Sequence, residues 1–448
     1  MTISSILTFI FIFFLLLQMG YIIIPLRKSK IFKLYPKEQK ITVLIPSFNE
    51  ELVLSQCLEG WKRVSYQNKE AIFINDGSTD QTMTVLHNLL DLAKVQKEID
   101  KSFQTEHLIS IYQSKKYPEI YVIDQLNGGK SSALNTGISL ASGKIIITLD
   151  ADSILESDSL SKINEAFVDP KVLAAGGMVH VGQMINRRGS NPYDKKLLIK
   201  YQLSGYLSSF YVRKVTQSKL NVLGVVSGAF GAFRRDVLVD IGGYRQTLGE
   251  DMEITFRLQK YIHKRKMGEK LIFVPVAVCY TEVPENFHAL LQQRVRWQKG
   301  FLDCINMYKK GFFISFSKRF SFFLLFESLL LGVLGTITLI LLPLSILFGS
   351  ISPVTILFIM ITWLSEFILR LVAVKRAGYC GYIFSIKEWS KIVAFTALES
   401  ITYRLFDTFF FLYGTVLYVA GNQQNWNKLK RSGSVIYSEL EPINKVSA

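Results

Sequence analysis

The stretch Ile6–Leu26 contains no charged side chain, and it has about the 20 residues that one transmembrane helix needs. In a bilayer the backbone must satisfy its own hydrogen bonds, so such a run folds as a helix and as little else. Two further apolar runs, 320–348 and 351–374, stand near the other end, separated by Gly349-Ser350 and Pro353. So short a gap allows only a tight helical hairpin. The polar middle, from about Lys40 to Lys309, must therefore fold against a membrane.

A cleaved signal peptide is the competing reading of the first run, but Met1–Leu26 lacks a basic leading segment and no small-residue cleavage site follows. Arg27, Lys28 and Lys30 follow instead, which by the positive-inside rule puts the middle of the chain in the cytoplasm and Met1 outside. The stretch 392–420 is interrupted by Glu399, Arg404 and Asp407, and isolated charges at the bilayer centre are costly. It is read as a helix at the interface, the alternative being a span that lines a polar channel. The expected organisation is an anchor over 1–30, a cytoplasmic domain over 40–309 that ends in an amphipathic interfacial helix at 285–309, membrane helices over 320–420, and a basic cytoplasmic tail over 421–448.

The formal net charge of +16 comes from Lys and Arg residues scattered along the chain. No helix-turn-helix or RNA-binding signature accompanies them, so nucleic acid is not an expected partner. Anionic membrane lipid and a phosphorylated substrate account for the charge better. Cys57, Cys279, Cys304 and Cys380 stand far apart without a C-x-x-C pair, and the five histidines, His180 and His288 among them, lack metal-ligand spacing.

Within the middle, Ile41–Ile45, Ala71–Ile74, Ile120–Ile123 and Lys144–Thr148 are short β-branched runs, each followed by a turn cluster and a helix-like stretch. That alternation predicts an α/β domain with a mostly parallel sheet, in which ligands sit at the carboxyl ends of the strands. The polar motifs Pro46–Glu50, Asn75–Asp80, Asn127–Lys130 and Asp150–Asp152 all fall at those ends. The segment 97–118 reads as a surface excursion without chemistry.

Taken singly, each motif has a plain alternative. Asn75-Asp76-Gly77-Ser78-Thr79-Asp80 is composed like a turn with a helix cap, or supplies a carboxylate that accepts from a base N–H. Asn127-Gly128-Gly129-Lys130-Ser131 fails the P-loop pattern, because Asp124 stands where a glycine is required; its glycines and Lys130 still suit a diphosphate. Asp150-Ala151-Asp152 is a surface turn with two solvated acids, or places two carboxylates at i and i+2, on one face of an extended chain and within reach of one hard divalent cation. Gly249-Glu250-Asp251 precedes an amphipathic helix and is ordinary acid placement there, or a base aimed at an acceptor hydroxyl. Gln293-Arg294-Val295-Arg296-Trp297 lies on a basic amphipathic helix, where Arg296 and Trp297 suit headgroups, or a pyrophosphate and a sugar ring. Ser227-Gly228, after Val222–Val226, is read as marking a strand end.

In this order the motifs resemble those of the membrane-embedded family 2 glycosyltransferases, which include the cellulose, hyaluronan, chitin and poly-N-acetylglucosamine synthases. The likeness spans nearly the whole chain, and it implies a glycosyltransferase A (GT-A) fold for the domain. It implies that Pro46, Ser47, Phe48, Glu50, Asp76, Gly77, Lys130 and Asp150 hold a UDP-sugar, and that Asp150 and Asp152 bind Mg²⁺ or Mn²⁺. It also implies that Asp251, beside Glu250, is the general base, and that Ser227, Gly228, Gln293, Arg296 and Trp297 attend the acceptor and diphosphate. The triplet before the helix is Gly-Glu-Asp where the family has Thr-Glu-Asp or Gly-Asp-Asp, which leaves the sugar open. No F-x-V-T-x-K loop and no regulatory extension are found, so the chain looks closer to the compact poly-N-acetylglucosamine and related exopolysaccharide synthases than to bacterial cellulose synthase.

The resulting expectation is a processive, inverting hexosyltransferase in a bacterial plasma membrane. It would transfer N-acetylglucosamine from a UDP-sugar to a growing β-linked glycan and help export it, with room for accessory export proteins. The rivals are a transferase that places one sugar on a lipid, and a non-catalytic membrane protein that only binds a sugar nucleotide.

Overall fold

The computed structural model describes residues 2–26, 37–100, 103, 107–184, 196–378 and 386–421. Arg27, Lys28 and Lys30, the basic tail and Cys380 lie outside the described residues.

The middle of the chain forms one ten-stranded sheet of β1 (Ile41–Ser47), β2 (Lys69–Asp76), β3 (Leu92–Val95), β4 (Leu108–Ser114), β5 (Ile120–Gln125), β6 (Ile145–Leu149), β7 (Ser153–Leu155), β8 (Val172–Val181), β9 (Phe230–Arg234) and β10 (Lys270–Thr281). Their order is β3-β4-β5-β2-β1-β6-β9-β8-β10-β7. The four runs expected from the sequence are β1, β2, β5 and β6, which lie side by side and mutually parallel. Helices cover both faces of these strands, so their side chains are buried almost without interruption. That explains why they read as continuous apolar runs rather than as alternation.

The pairings leave β1, β2, β3, β5, β6, β8 and β10 pointing one way and β4, β7 and β9 the other. Two expectations need correction. Part of the supposed excursion 97–118 is β4, which pairs antiparallel with β5 and carries β3 at the sheet's edge; Ile111 is buried there, but Ser110 and Gln113 beside it hid the strand pattern. Val222–Val226 is not a strand, so Ser227-Gly228 precedes β9 instead of closing a strand.

Among the described residues, three helices are long and apolar enough to cross a membrane: Ile3–Pro25, Lys318–Leu347 and Pro353–Ala377. The chain is thus built as a membrane protein. The first helix lies along the third, where Ser4 and Thr8 share hydroxyl hydrogen bonds with Thr355, and Gln18 donates to Glu366 at 2.9 Å. The stretch with the interrupting charges is one continuous helix, Ile386–Val419, packed on the hairpin and on the helix Phe287–Tyr308. Its Glu399 carboxylate is buried and accepts from Arg370 of the neighbouring helix and from Ser204. A charge that would be costly against lipid is compensated inside the protein.

Candidate active site

The carboxyl ends of β1, β2 and β5 are stitched together by side chains. Asn49, in a left-handed conformation, accepts from the Thr79 amide at 2.8 Å, while the Glu50 amide donates to Thr82 at 2.7 Å. Asp76 accepts from Gln125 Nε2 at 2.8 Å, the Gly128 amide at 3.0 Å and the Gly129 amide at 2.8 Å. Gly77 has a φ of +65°, and a Cβ there would stand 2.6 Å from the Asn127 nitrogen, so only glycine lets the two loops close. The Asp76 carboxylate is held in one orientation by protein donors, with lone pairs left for a further N–H.

At the centre, Lys130 opens the helix Gly129–Leu140 and donates to Asp150 at 2.7 Å. Its other carboxylate partner is Glu250, at 3.2 Å. Burial alone would lower the Lys130 pKa, but Asp150 and Glu250 outweigh it and hold the ammonium above the ordinary lysine range. Lys130 thus links the Asp150-Asp152 motif to the Glu250-Asp251 motif. Asp152, buried beside it, accepts from Thr281 at 3.2 Å. Cys57 and Cys279 lie behind these acids, and burial, reinforced by the carboxylates, pushes both thiols up. Neutral, buried thiols are poor nucleophiles.

Asp251 sits in the first turn of the helix Glu250–Arg265 and accepts from the Gly228 amide at 3.2 Å. Burial and the neighbouring Glu250 raise its pKa, while Lys130, the Gly228 amide and Lys214 pull the other way. Lys214 responds in kind: burial lowers it to about 8, against the opposing pull of Asp251. On the helix Phe287–Tyr308, Gln293 is buried with its Oε1 unbonded, Arg294 lies over the Trp297 ring at 4.4 Å, and Arg296 has no ion-pair partner among the described residues.

The acids, Lys130, Lys214 and the Gln293–Trp297 groups surround a cavity of about 560 Å³. Its walls include Pro46, Ser47, Phe48, Glu50, Asp76, Lys130, Asp150 and Asp152 on one side and Ser227, Gly228, Glu250, Asp251, Gln293, Arg296 and Trp297 on the other. Of the residues expected at the site, Gly77 alone does not line it; it acts one step back, through the loop closure. The cavity continues to Arg370 of the helix Pro353–Ala377 and to Asp407 of the helix Ile386–Val419.

Residues 145–374 match the glycosyl transferase family group 2, and residues 42–242 match glycosyl transferase family 2. The chain belongs to the family 2 glycosyltransferases. Over 298 residues this glycosyltransferase is 30% identical to the poly-β-1,6-N-acetyl-D-glucosamine synthase of Staphylococcus aureus (strain COL), covering 66% of its own length and 62% of that relative's. It is 27% identical to the synthase of the same name from Staphylococcus epidermidis, over 82% of its own chain and 74% of the other. Among solved structures it is similar to a mannosyltransferase from Pyrobaculum calidifontis in complex with GDP-Man and Mn²⁺, with a TM-score of 0.56, 15% identity, and coverage of 94% of this chain and all of that one. That likeness establishes the GT-A fold.

Several groups in the glycosyltransferase's cavity carried no sequence motif. Tyr206, Phe210, Arg213 and Lys214 reach it from the helix Leu197–Ser208 and the π-helical turn Ser209–Lys214, Glu282 from just beyond β10, and Arg370 from a membrane helix. The basic pair Arg213-Lys214 is the one visible hint, and π-helical turns concentrate at functional sites.

Proposed function

We propose that this glycosyltransferase is a processive, inverting enzyme that transfers N-acetylglucosamine from UDP-N-acetylglucosamine to the growing end of a β-linked glycan. The observation that carries the reading is the cavity that joins Asp150 and Asp152 to Asp251 and runs on to Arg370 of a membrane-length helix and Asp407 of the helix Ile386–Val419. A lengthening chain needs such a continuation beyond the base, and the staphylococcal relatives are named as synthases of such a polymer.

In this reading Asp76 and the Pro46-Ser47-Phe48 turn hold uridine. Asp150 and Asp152, all-oxygen donors on the same cavity wall, fit a hard divalent cation such as Mg²⁺ or Mn²⁺. That ion would neutralise charge on the diphosphate. Asp251 takes the proton from the acceptor hydroxyl as its oxygen bonds to the anomeric carbon. The bond from that carbon to the diphosphate breaks with its electron pair leaving on UDP, and the anomeric centre inverts. Arg296 adds positive charge near the departing group.

A second reading, one sugar placed on a lipid, is favoured by one feature. A recess of about 290 Å³ adjoins the cavity, sharing Met252, Arg294, Trp297, Phe301 and Asp407 with it and adding Phe410 and Phe411 of the helix Ile386–Val419. The test is to supply the purified protein with UDP-N-acetylglucosamine and a divalent cation, and to size the product. A long polymer cleaved by a β-hexosaminidase supports processive synthesis. A single glycolipid would replace it with the second reading, and absence of UDP release across a panel of UDP-sugars would refute both.

A further inference from the structure

One stripe of the helix Phe287–Tyr308 has two roles along its length. Gln293, Trp297, Gly300, Cys304 and Tyr308 recur every three or four residues and so share a face. Gln293 and Trp297 line the cavity. The other three rest on the turn that carries Asp251. A Cβ on Gly300 would stand 3.0 Å from the Gly249 nitrogen, 3.1 Å from its Cα and 3.2 Å from the Leu248 carbonyl carbon, and a Cβ on Gly249 would stand 3.3 Å from the Gly300 Cα. The Cys304 thiol points at the Gly249 carbonyl oxygen, 3.9 Å away. Tyr308 donates to Glu253 at 2.6 Å.

Glu253 is itself fully buried and fixed. Arg257 grips it with bonds of 2.8 and 2.7 Å and donates onward to the carbonyls of Ile241 and Gly243. The turn Gly249–Glu253 is therefore anchored to the sheet domain from one side and touched by the interfacial helix on the other. Where two glycines meet backbone to backbone, no side chain can rotate to absorb an added methyl, so the helix or the turn must move as a body.

We propose that Gly300, Cys304 and Tyr308 are positioning residues: through Gly249 and Glu253 they set how far Asp251 stands from Arg296 and Trp297. This rests on the assignment of Asp251 as the base. Turnover is steep in such a distance, since a misplacement of about 1 Å can cost about 10²-fold. The donor subsite is formed by strand ends on the opposite wall, which meet this turn through the Lys130–Glu250 pair and not through Gly300.

The test uses the full-length protein, with UDP release giving kcat and donor KM, and with UDP affinity and Tm measured separately. Gly300→Ala should lower kcat by about ten-fold or more while UDP affinity stays within about two-fold. Tyr308→Phe keeps the ring but removes a donor to Glu253, and should lower kcat by a smaller factor with the same unchanged UDP affinity. A kcat close to wild type in both variants would overturn the inference, as would UDP affinity and Tm falling in step with kcat, which is the signature of general damage. An Asp251→Asn variant with wild-type turnover would overturn the base assignment and this inference with it. Turnover lost in Asp251→Asn but retained in Gly300→Ala and Tyr308→Phe would sink the positioning role alone.

Discussion

The two walls of the cavity are made by different means. The wall with Asp76, Lys130, Asp150 and Asp152 is formed by adjacent parallel strands that end together, with loops clipped to one another by short-range hydrogen bonds. The wall with Asp251, Arg296 and Trp297 is assembled from separate helices, whose relative placement depends on tertiary contacts such as Tyr308 to Glu253. A nucleotide diphosphate has one shape in every cycle and suits a rigid bed. In the proposed reaction a glycan end must arrive, react and move on, which suits a wall made of elements that can be adjusted separately.

The largest effect that would break or sharpen this contrast is expected at Asp251, the proposed base. Asp251→Asn removes the proton acceptor and keeps the shape, so transfer should fall by roughly 10²–10⁴-fold, while UDP affinity, measured by calorimetry, should hold. Loss of UDP binding in that variant would erase the division between the walls. The same substitution should raise Tm at neutral pH. Asp251 has a raised pKa in the fold, so its contribution to stability is fully present below the unfolded aspartate value and lost as pH rises through the folded one. The neutral amide avoids that loss, and the Tm difference should shrink as pH is lowered.

On the strand-end wall, Asp152→Ala should lower transfer by about 10²-fold, and chelation of divalent cations should do the same to the wild type, reversed by adding Mg²⁺ or Mn²⁺. Here, unlike at Asp251, donor KM should rise together with the loss of kcat. A chelated enzyme that keeps full activity would remove the metal from the reading.

This difference in construction also decides what was legible in the sequence. β1, β2, β5 and β6 could be read because each is a local β-branched run followed by its own turn, and the acids at their ends follow from that placement. Gly249-Glu250-Asp251 and Gln293–Trp297 were visible as motifs, but their meeting through Gly249 and Gly300 was not, because residues about fifty apart are brought together only by packing. Lys214 and Arg370 became cavity residues through contacts of the same long range. Glu399 looked like an obstacle to a membrane helix until Arg370 and Ser204 appeared opposite it. β4 was missed for a simpler reason, since polar Ser110 and Gln113 interleave with its buried Ile111.

A smaller effect should appear in the pH profile. In the proposed mechanism Asp251 acts as an anion, and its pKa lies above the ordinary aspartate value, so kcat should fall on the acid side at a higher pH than a free aspartate would give. Lys214 is one of the groups that favour the anion. Lys214→Met should therefore move the acid limb to still higher pH, with the donor KM unaffected. A limb that stays in place would mean that Lys130 and the Gly228 amide suffice to hold Asp251 ionised.

The smallest expected effect lies at Trp297, which is 42% exposed and carries the Arg294 guanidinium over its ring at 4.4 Å. A cation–π contact in so open a place is worth about 0.5–1 kcal/mol, which corresponds to a factor of about two to five. Arg294→Leu should thus raise acceptor KM by that factor, measured with a glycan primer at saturating donor, and leave donor KM where it was. The sign carries more weight than the size. If the donor KM rose instead, the ring would be serving the diphosphate, and the boundary between the two walls would have to be drawn between Asp251 and Gln293 rather than ahead of Asp251.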